Sequence, residues 1–444
     1  MENISEIELK NKILEDRENR LILIGDKIKS TSNLILVLKA NICGDYKNIN
    51  EVNLILPIFL NIVVNTFKMV KYEKINSCDG NYFIIEIEDK DYIEVKRKLI
   101  QIEESFSGRI IDIDLYSNAH KSVTRGDLEL PPRSCIVCND LYFKCVRERK
   151  HTVNEVLAKT KEIAHEGFLQ EIIKHTTNAL INEVKAHPKF ALVTEKEQGI
   201  HSDMDYKTFI SSIEAIEPFL YEYAKEGFEF DEDTFLRLRN IGMKAEKEMF
   251  KATSGINTHK GAIFLLGILL PSITNVIYKG EDFSAIQSNV KFLSKDLLKD
   301  FENLDSKENL SYGEQIYLDL GIGGVRAFAF SGMDLVFDLV NDYEDCLYNI
   351  NDKVINILLS SMCKLDDTVI IHKSNLETLT YIKYKSNKLL ELIKGNDFDD
   401  KLVKDEVLNF NRICKVLKVS PGGSADIVIL VLLLLDIKRV YFRK

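Results

Sequence analysis

The pattern of apolar and polar positions changes period several times in the first third of the chain. Residues Glu6–Ile28 are charged with apolar positions at helical spacing, which predicts a helix. Tyr82–Ile87 (YFIIEI) is short, β-branched and aromatic and predicts a strand. Asp91–Phe106 predicts a second helix, and Arg109–Leu115 (RIIDIDL) a second strand. Strand, helix, strand in that order suggests an α+β layer. Leu130–His151 carries two prolines and three cysteines and predicts irregular structure held by something other than a ladder. From Thr152 the character changes. Segments with apolar residues three and four apart follow one another: Thr152–Lys185, Tyr206–Lys225, Asp231–Thr253, His259–Tyr278 and further ones toward the C-terminus. Turn signals such as Ser420-Pro421-Gly422-Gly423 separate them. The expected architecture is an α+β domain over 1–165, nucleotidyltransferase-like, followed by a larger all-α domain over 166–444. The boundary falls near residue 165, inside or beside a long helix.

Composition narrows the class. A chain of 444 residues suits two or three domains, and 45% hydrophobic with 29% charged residues is ordinary for a globular protein. The net charge of −10 argues against non-specific binding to nucleic acid or anionic membranes, so neither is an expected partner. The longest apolar run, Ile427–Leu435, rises ~1.5 Å per residue and is too short for a ~30 Å hydrocarbon core; it predicts a buried helix. MENISEIELK has no apolar core of the signal-peptide kind, so a cytoplasmic location is expected. In that reducing compartment the eight cysteines are expected as thiols or metal ligands.

Two groups of residues in the N-terminal part suggest chemistry. Asp112 and Asp114 are two apart on a predicted strand, so both carboxylates point the same way. Two hard oxygen donors suit Mg²⁺ completed by substrate phosphates, as nucleotidyl transfer requires; the bland alternative is a solvated pair. Cys135, Cys138, Cys145 and His151 form C-x2-C-x6-C-x5-H, which can close a tetrahedral structural Zn²⁺ site or stand as reduced thiols in a loop. Between Lys121 and His151 the local charge is +3, with Arg125 and Arg133 among the basic residues. Arginine suits bidentate phosphate contact, though a solvated loop has the same composition.

The stretch Gly108–His151 (GRIIDIDLYSNAHKSVTRGDLELPPRSCIVCNDLYFKCVRERKH) resembles the signature of citrate lyase holo-acyl-carrier-protein synthase, the CitX family. Arg17, Arg20 and Asn41–Lys47 (NICGDYK) fit its N-terminal part, and the resemblance spans most of residues 10–165. It implies transfer of a triphosphoribosyl-dephospho-CoA group to a serine of the apo acyl-carrier (gamma) subunit of citrate lyase, with release of pyrophosphate. Arg109, Asp112, Asp114, Arg125, Arg133, the three cysteines and His151 fall at matching positions. Arg109 and Arg133 join the acid pair as candidate catalytic residues.

In the helical part, Gly199–Asp205 (GIHSDMD) places His201, Asp203 and Asp205 just before a helix. Arg239 and Glu246 are two turns apart and share a helix face. Ala252–Phe264 (ATSGINTHKGAIF) sets Asn257, Thr258, His259, Lys260 and Gly261 at a helix start, where backbone N–H groups can hold phosphates. Ser420–Asp426 (SPGGSAD) repeats that arrangement, with Ser420, Gly422, Gly423 and the acid Asp426. Each cluster also reads as ordinary helix-start chemistry. Together they resemble triphosphoribosyl-dephospho-CoA synthase, the CitG family, from about Leu169 to the end. That resemblance implies ATP and 3′-dephospho-CoA as substrates, Mg²⁺, and loss of adenine. It makes Asp203, Glu246, His259 and Lys260 catalytic candidates, and Asn257, Thr258, Gly261, Arg326, Ser420, Gly422, Gly423 and Asp426 binding candidates. Fusion of the two families implies one enzyme that makes the prosthetic group of citrate lyase and attaches it.

The chain departs from the synthase pattern in four places. A family acid is replaced at Thr194, a His at Tyr312, two carboxylates at Phe328 and Phe330, and an Asn at Val369. Phenyl rings and Val bind neither Mg²⁺ nor a ribose hydroxyl. The alternative expectation is therefore a helical half reduced to a cofactor- or carrier-binding module, with weak or absent synthesis.

Overall fold

The computed structural model describes residues 6–117, 124–302, 304, 310, 312–396, 398 and 400–443. Two compact units result: Met1–Glu171 with Tyr278–Gly280, and Ile172–Ile277 with Glu281–Lys444.

The first unit contains α1 (Glu6–Ser30), β1 (Leu34–Ala40), α2 (Asn50–Thr66), β2 (Met69–Ile75), β3 (Tyr82–Ile87), α3 (Tyr92–Glu104), β4 (Ile111–Tyr116) and α4 (Tyr142–Glu148). Its strands form an antiparallel sheet in the order β2-β3-β1-β4. In register, Lys39 faces Asp112, Val37 faces Asp114 and Ile35 faces Tyr116. Ile24 of α1 packs with Ile35, Val37, Tyr82 and Ile84 on one face of the sheet. The alternate residues Leu36, Leu38, Ile85 and Ile113 are buried on the other, where α2 packs on β1 and α3 on β4. β4 is an edge strand. Buried Glu103 covers part of that edge by accepting the Ile113 N–H at 2.7 Å.

α5 (Val153–Lys185) runs through the boundary between the units. The second unit continues with α6 (Tyr206–Glu226), α7 (Thr234–Ala252), α8 (Lys260–Lys279), α9 (Ser284–Ser294), α10 (Tyr312–Leu320), α11 (Gly324–Phe330), α12 (Asp334–Tyr343), α13 (Ile350–Lys364), α14 (Thr368–Lys373), α15 (Leu376–Gly395), α16 (Lys401–Val416) and α17 (Gly422–Tyr441). It has no strand among the described residues. The apolar run Ile427–Leu435 lies in α17 and is buried, except at its end. α8 is long and apolar enough to cross a membrane by length and composition, but 83% of its apolar window is buried inside the protein, as in a core helix.

Candidate functional sites

In the first unit the polar end of the α1-covered sheet face forms one site. Asp112 and Asp114 project from β4 on the same side, as their alternation predicts, and Tyr116 follows them. Partial desolvation, then the neighbouring Asp112, hold the Asp114 carboxyl above its usual range. Burial, then Asp114, push the Tyr116 hydroxyl up to about 12. Arg20 of α1 and Lys96 of α3 act on Asp114 from the other direction. Next to the pair, Arg17, Arg20 and Lys39 converge on Asp79, at 2.9, 2.6 and 2.5 Å. Burial penalises the Asp79 charge, but the bonds from Lys39 and Arg20 outweigh it and hold the carboxyl below the usual range. Asp79, with 1% of its side chain exposed, thus fixes a basic cluster beside the acid pair. Nothing in the sequence pattern singled it out.

The predicted arginines occupy distinct places. Arg133 Nη2 lies 2.7 Å from Glu103 and 3.3 Å from Asp112, and its Nη1 donates to the Ile111 carbonyl at 3.4 Å. Arg109 Nη2 donates to Ser134 Oγ, the Cys135 carbonyl and Asn139 Oδ1 at 3.2, 2.9 and 3.2 Å. Arg125 Nε donates to the Pro131 carbonyl at 2.9 Å, and its guanidinium pairs with Glu104. Lys121 lies outside the described residues.

The segment predicted as irregular contains a tight hairpin and the short helix α4. Asn139 at the hairpin turn has a φ of 59°, a conformation Asn tolerates. The ligand atoms of Cys135, Cys138, Cys145 and His151 all lie within 4.8 Å of one another. Cys138 Sγ is 3.5 Å from Cys145 Sγ and 3.2 Å from His151 Nε2.

The second unit gathers residues from distant segments around three helix starts. Asp367 is buried; its carboxylate accepts Val369 N–H at 3.0 Å, Ser424 N–H at 2.8 Å and Ser424 Oγ–H at 2.9 Å, joining the starts of α14 and α17. Asp426 packs on the start of α8 and accepts the Ala262 N–H. A Cβ on Gly261 would fall 2.0 Å from Asp426 Oδ2, so only glycine permits this approach. Burial, then Glu183 and Asp367, hold the Asp426 carboxyl well above its usual range. Lys189 is buried and donates to Glu183 Oε1 at 2.7 Å and to the Glu183 carbonyl at 2.9 Å.

His259 is also buried. Its Nδ1 is 2.7 Å from Ser212 Oγ, which accepts Thr258 Oγ1–H at 2.7 Å. Its Nε2 has no hydrogen-bond partner among the described residues. Burial, then Lys189, lower its pKa to about 3, so the ring is neutral. His201 Nε2 lies 3.2 Å from buried Ser420 Oγ, while Asp203 is exposed, 3.9 Å from His201 Nδ1. Asn257 Oδ1 accepts the Lys260 N–H at 3.2 Å, and Lys260 Nζ is 3.0 Å from Glu246. Arg239, Gly242, Glu246 and Arg326 line a cavity of ≈ 170 Å³ floored by Tyr223. A second cavity of ≈ 440 Å³ opens beside Thr368, Gly423 and Phe328. Sequence reasoning did not single out Glu183, Lys189, Ser212, Asp367 or Ser424 as partners.

A family model described as apo-citrate lyase phosphoribosyl-dephospho-CoA transferase (CitX) matches residues 8–167, and one described as ATP:dephospho-CoA triphosphoribosyl transferase (CitG) matches residues 169–442. The chain belongs to these families as a CitX–CitG fusion. "Protein CitXG" of Haemophilus influenzae is 27% identical over 455 residues, 96% of this chain and 96% of the relative. "Protein CitXG" of Leuconostoc mesenteroides subsp. cremoris is 29% identical, covering 90% and 91%. A "Probable 2-(5''-triphosphoribosyl)-3'-dephosphocoenzyme-A synthase" of Streptococcus pyogenes is 31% identical over 60% of this chain and 95% of its own length. The fusion is therefore a transferase of citrate lyase maturation with two activities.

Within the CitG part the departures fall in different surroundings. Thr194 is buried and its Oγ1 accepts the Lys196 and Glu197 N–H groups at 3.1 and 3.0 Å, a turn-forming task that an Asp performs equally well. Phe328 lines the larger cavity and Phe330 is 42% exposed. Val369 packs on Gly422, and the Tyr312 side chain lies outside the described residues. Lys189 pairs with Glu183 and Asp367 with Ser424, and the Glu183 and Asp367 charges both act on Asp426.

Proposed function

We propose that the CitG part joins 3′-dephospho-CoA to the ribose of ATP at the three converging helix starts. The CitX part then attaches the product at the Asp112–Asp114 face. The observation that carries the first assignment is the meeting of Asp367 and Asp426 with the starts of α8, α14 and α17. The helix-start N–H groups that these carboxyls leave unbonded favour a polyphosphate, whose charge Mg²⁺ would neutralise when bound, while Asp367 holds the starts of α14 and α17 together. In synthesis, the ribose hydroxyl of dephospho-CoA bonds to the ATP anomeric carbon as the bond to adenine breaks. The hydroxyl proton passes to a base and adenine takes up a proton on leaving. Neutral His259, with its free Nε2, and Asp426 are the groups we assign to proton transfer. Arg239, Glu246 and Arg326 hold the nucleotide in the smaller cavity.

In attachment, a serine oxygen of the apo acyl-carrier subunit bonds to the phosphorus nearest the ribose, the bond to the departing pyrophosphate breaks, and the serine proton passes to a base or to the released pyrophosphate. Asp112 and Asp114 have the shared face and exposure that Mg²⁺ needs, and Arg20, Lys39 and Arg133 border them to receive phosphate oxygens. The hairpin donors Cys135, Cys138, Cys145 and His151 suit one Zn²⁺ ion. The test is attachment of preformed triphosphoribosyl-dephospho-CoA by an Asp112→Ala/Asp114→Ala double variant. Loss of several kcal/mol of charge stabilisation slows attachment by about 100-fold or more, with adenine release unchanged. Attachment at the wild-type rate would refute the assignment.

A further inference from the structure

We infer that the Cys3His zinc site is a positioning device for attachment: it holds the hairpin that delivers Arg133 to the acid pair. This rests on the zinc reading above and goes beyond it. The geometry runs from metal donors to reacting face in a few bonds. The Cys135 N–H donates to the Asp140 carbonyl at 2.6 Å, and the Tyr142 N–H to the Arg133 carbonyl at 3.1 Å. With the bridge between Ser134 and Leu141, these close a hairpin whose base is Arg133 and whose turn carries Cys135 and Cys138. Cys145 and His151 return from α4 and the residues after it to complete the donor set.

The hairpin is short, and among its residues only Cys135 is buried. Leu141, Tyr142, Phe143 and Val146 are exposed, so little apolar burial holds it beyond Cys135 and Cys145. A closed metal site supplies the order that packing does not. In a tetrahedral site, Zn–S bonds of about 2.3 Å place thiolate sulfurs about 3.8 Å apart. The separation of Cys138 Sγ and Cys145 Sγ, 3.5 Å, needs only a small adjustment. Arg109 clamps the same hairpin to the start of β4 through Ser134, Cys135 and Asn139. Arg109 is therefore a positioning residue, and Arg133 is the arginine that reaches Asp112. Arg133 cannot choose its direction freely, because buried Glu103 takes the same Nη2 at 2.7 Å and is itself fixed by the Ile113 N–H. Displacement of a phosphate-binding group by about 1 Å can cost about 100-fold in rate.

The experiment is a double-mutant cycle on the full chain. Metal content is measured by emission spectroscopy, and binding of preformed triphosphoribosyl-dephospho-CoA and its attachment are measured with zinc bound and after chelation. Arg133→Ala is carried through both states, and Cys138→Ser provides a second, chelator-free route to the metal-poor protein. The expected result is about one zinc per chain in wild type. Zinc removal weakens cofactor binding about 10- to 100-fold, while adenine release and the helical circular dichroism stay unchanged. In Arg133→Ala the affinity is already low, and zinc removal lowers it by less than about threefold further, because both changes remove the same contact. Absence of zinc from wild type overturns the zinc reading and this inference together. Bound zinc whose removal leaves cofactor affinity unchanged, or weakens Arg133→Ala as much as wild type, overturns the positioning role alone.

Discussion

Lys189→Met removes the cation from the most enclosed ion pair among the described residues of the helical unit. The Lys189 and Glu183 side chains are 2% and 4% exposed and 2.7 Å apart, and Lys189 Nζ also holds the Glu183 carbonyl. Burial lowers the Lys189 pKa and Glu183 offsets it, so the pair is worth keeping only as a pair. Without Lys189, Glu183 is left buried and uncompensated beside Asp426, whose own carboxyl it already pushes upward. Removing one partner of a buried pair costs about 3–5 kcal/mol, whereas neutralising both costs much less. For a unit of this size that is a fall of about 6–20 °C in the melting temperature. The assay is thermal denaturation followed by helical circular dichroism, with Lys189→Met compared with the Glu183→Gln/Lys189→Met double variant. The double variant recovers at least half of the loss. The reasoning fails if the single variant melts within about 2 °C of wild type, or if the double variant melts no higher than the single one.

Gly261→Ala is expected to destabilise the helical unit by about 1–3 kcal/mol and to suppress adenine release, since the new methyl falls 2.0 Å from Asp426 Oδ2; calorimetry and adenine quantitation check the two effects. Asp79→Asn lowers the stability of the first unit by about 2–3 kcal/mol at pH 7, because the lost carboxylate accepts from Arg17, Arg20 and Lys39. Its folded pKa is depressed, so this contribution is complete above the ordinary carboxylate range and vanishes as pH falls through the folded value; the wild-type and Asp79→Asn unfolding curves should therefore converge on acidification.

Periodicity revealed α1 and α3, with their mixed charged and apolar positions, and β4, whose buried and solvent-facing residues alternate; β3 is buried throughout and was legible from its short β-branched and aromatic composition. β1 (LILVLKA) is buried on both faces, apart from Lys39, so it has no alternation to separate it from a buried helix. β2 carries a register shift between Met69 and Lys71, which breaks its period, and α2 contains Pro57. The same-side placement of Asp112 and Asp114 was legible because a strand fixes it. The cysteine and histidine spacing was equally local. The partnerships that build the helical site were not: Lys189 meets Glu183 through a loop, and Asp367 meets Ser424 from 57 residues away. Polar residues at helix starts look alike in sequence whether they cap the helix, as Asn257 does, or gather at a site, as Asp426 does.

The central claim is that one chain carries out both steps. It is tested most directly by mass spectrometry of apo acyl-carrier subunit incubated with the full-length protein and either ATP plus 3′-dephospho-CoA or preformed triphosphoribosyl-dephospho-CoA. The account predicts the same mass increase on the carrier serine in both reactions, with adenine appearing only in the first. Modification with the preformed cofactor alone would contradict it and leave the helical part without synthesis, as the replacements at Phe328 and Phe330 would then explain.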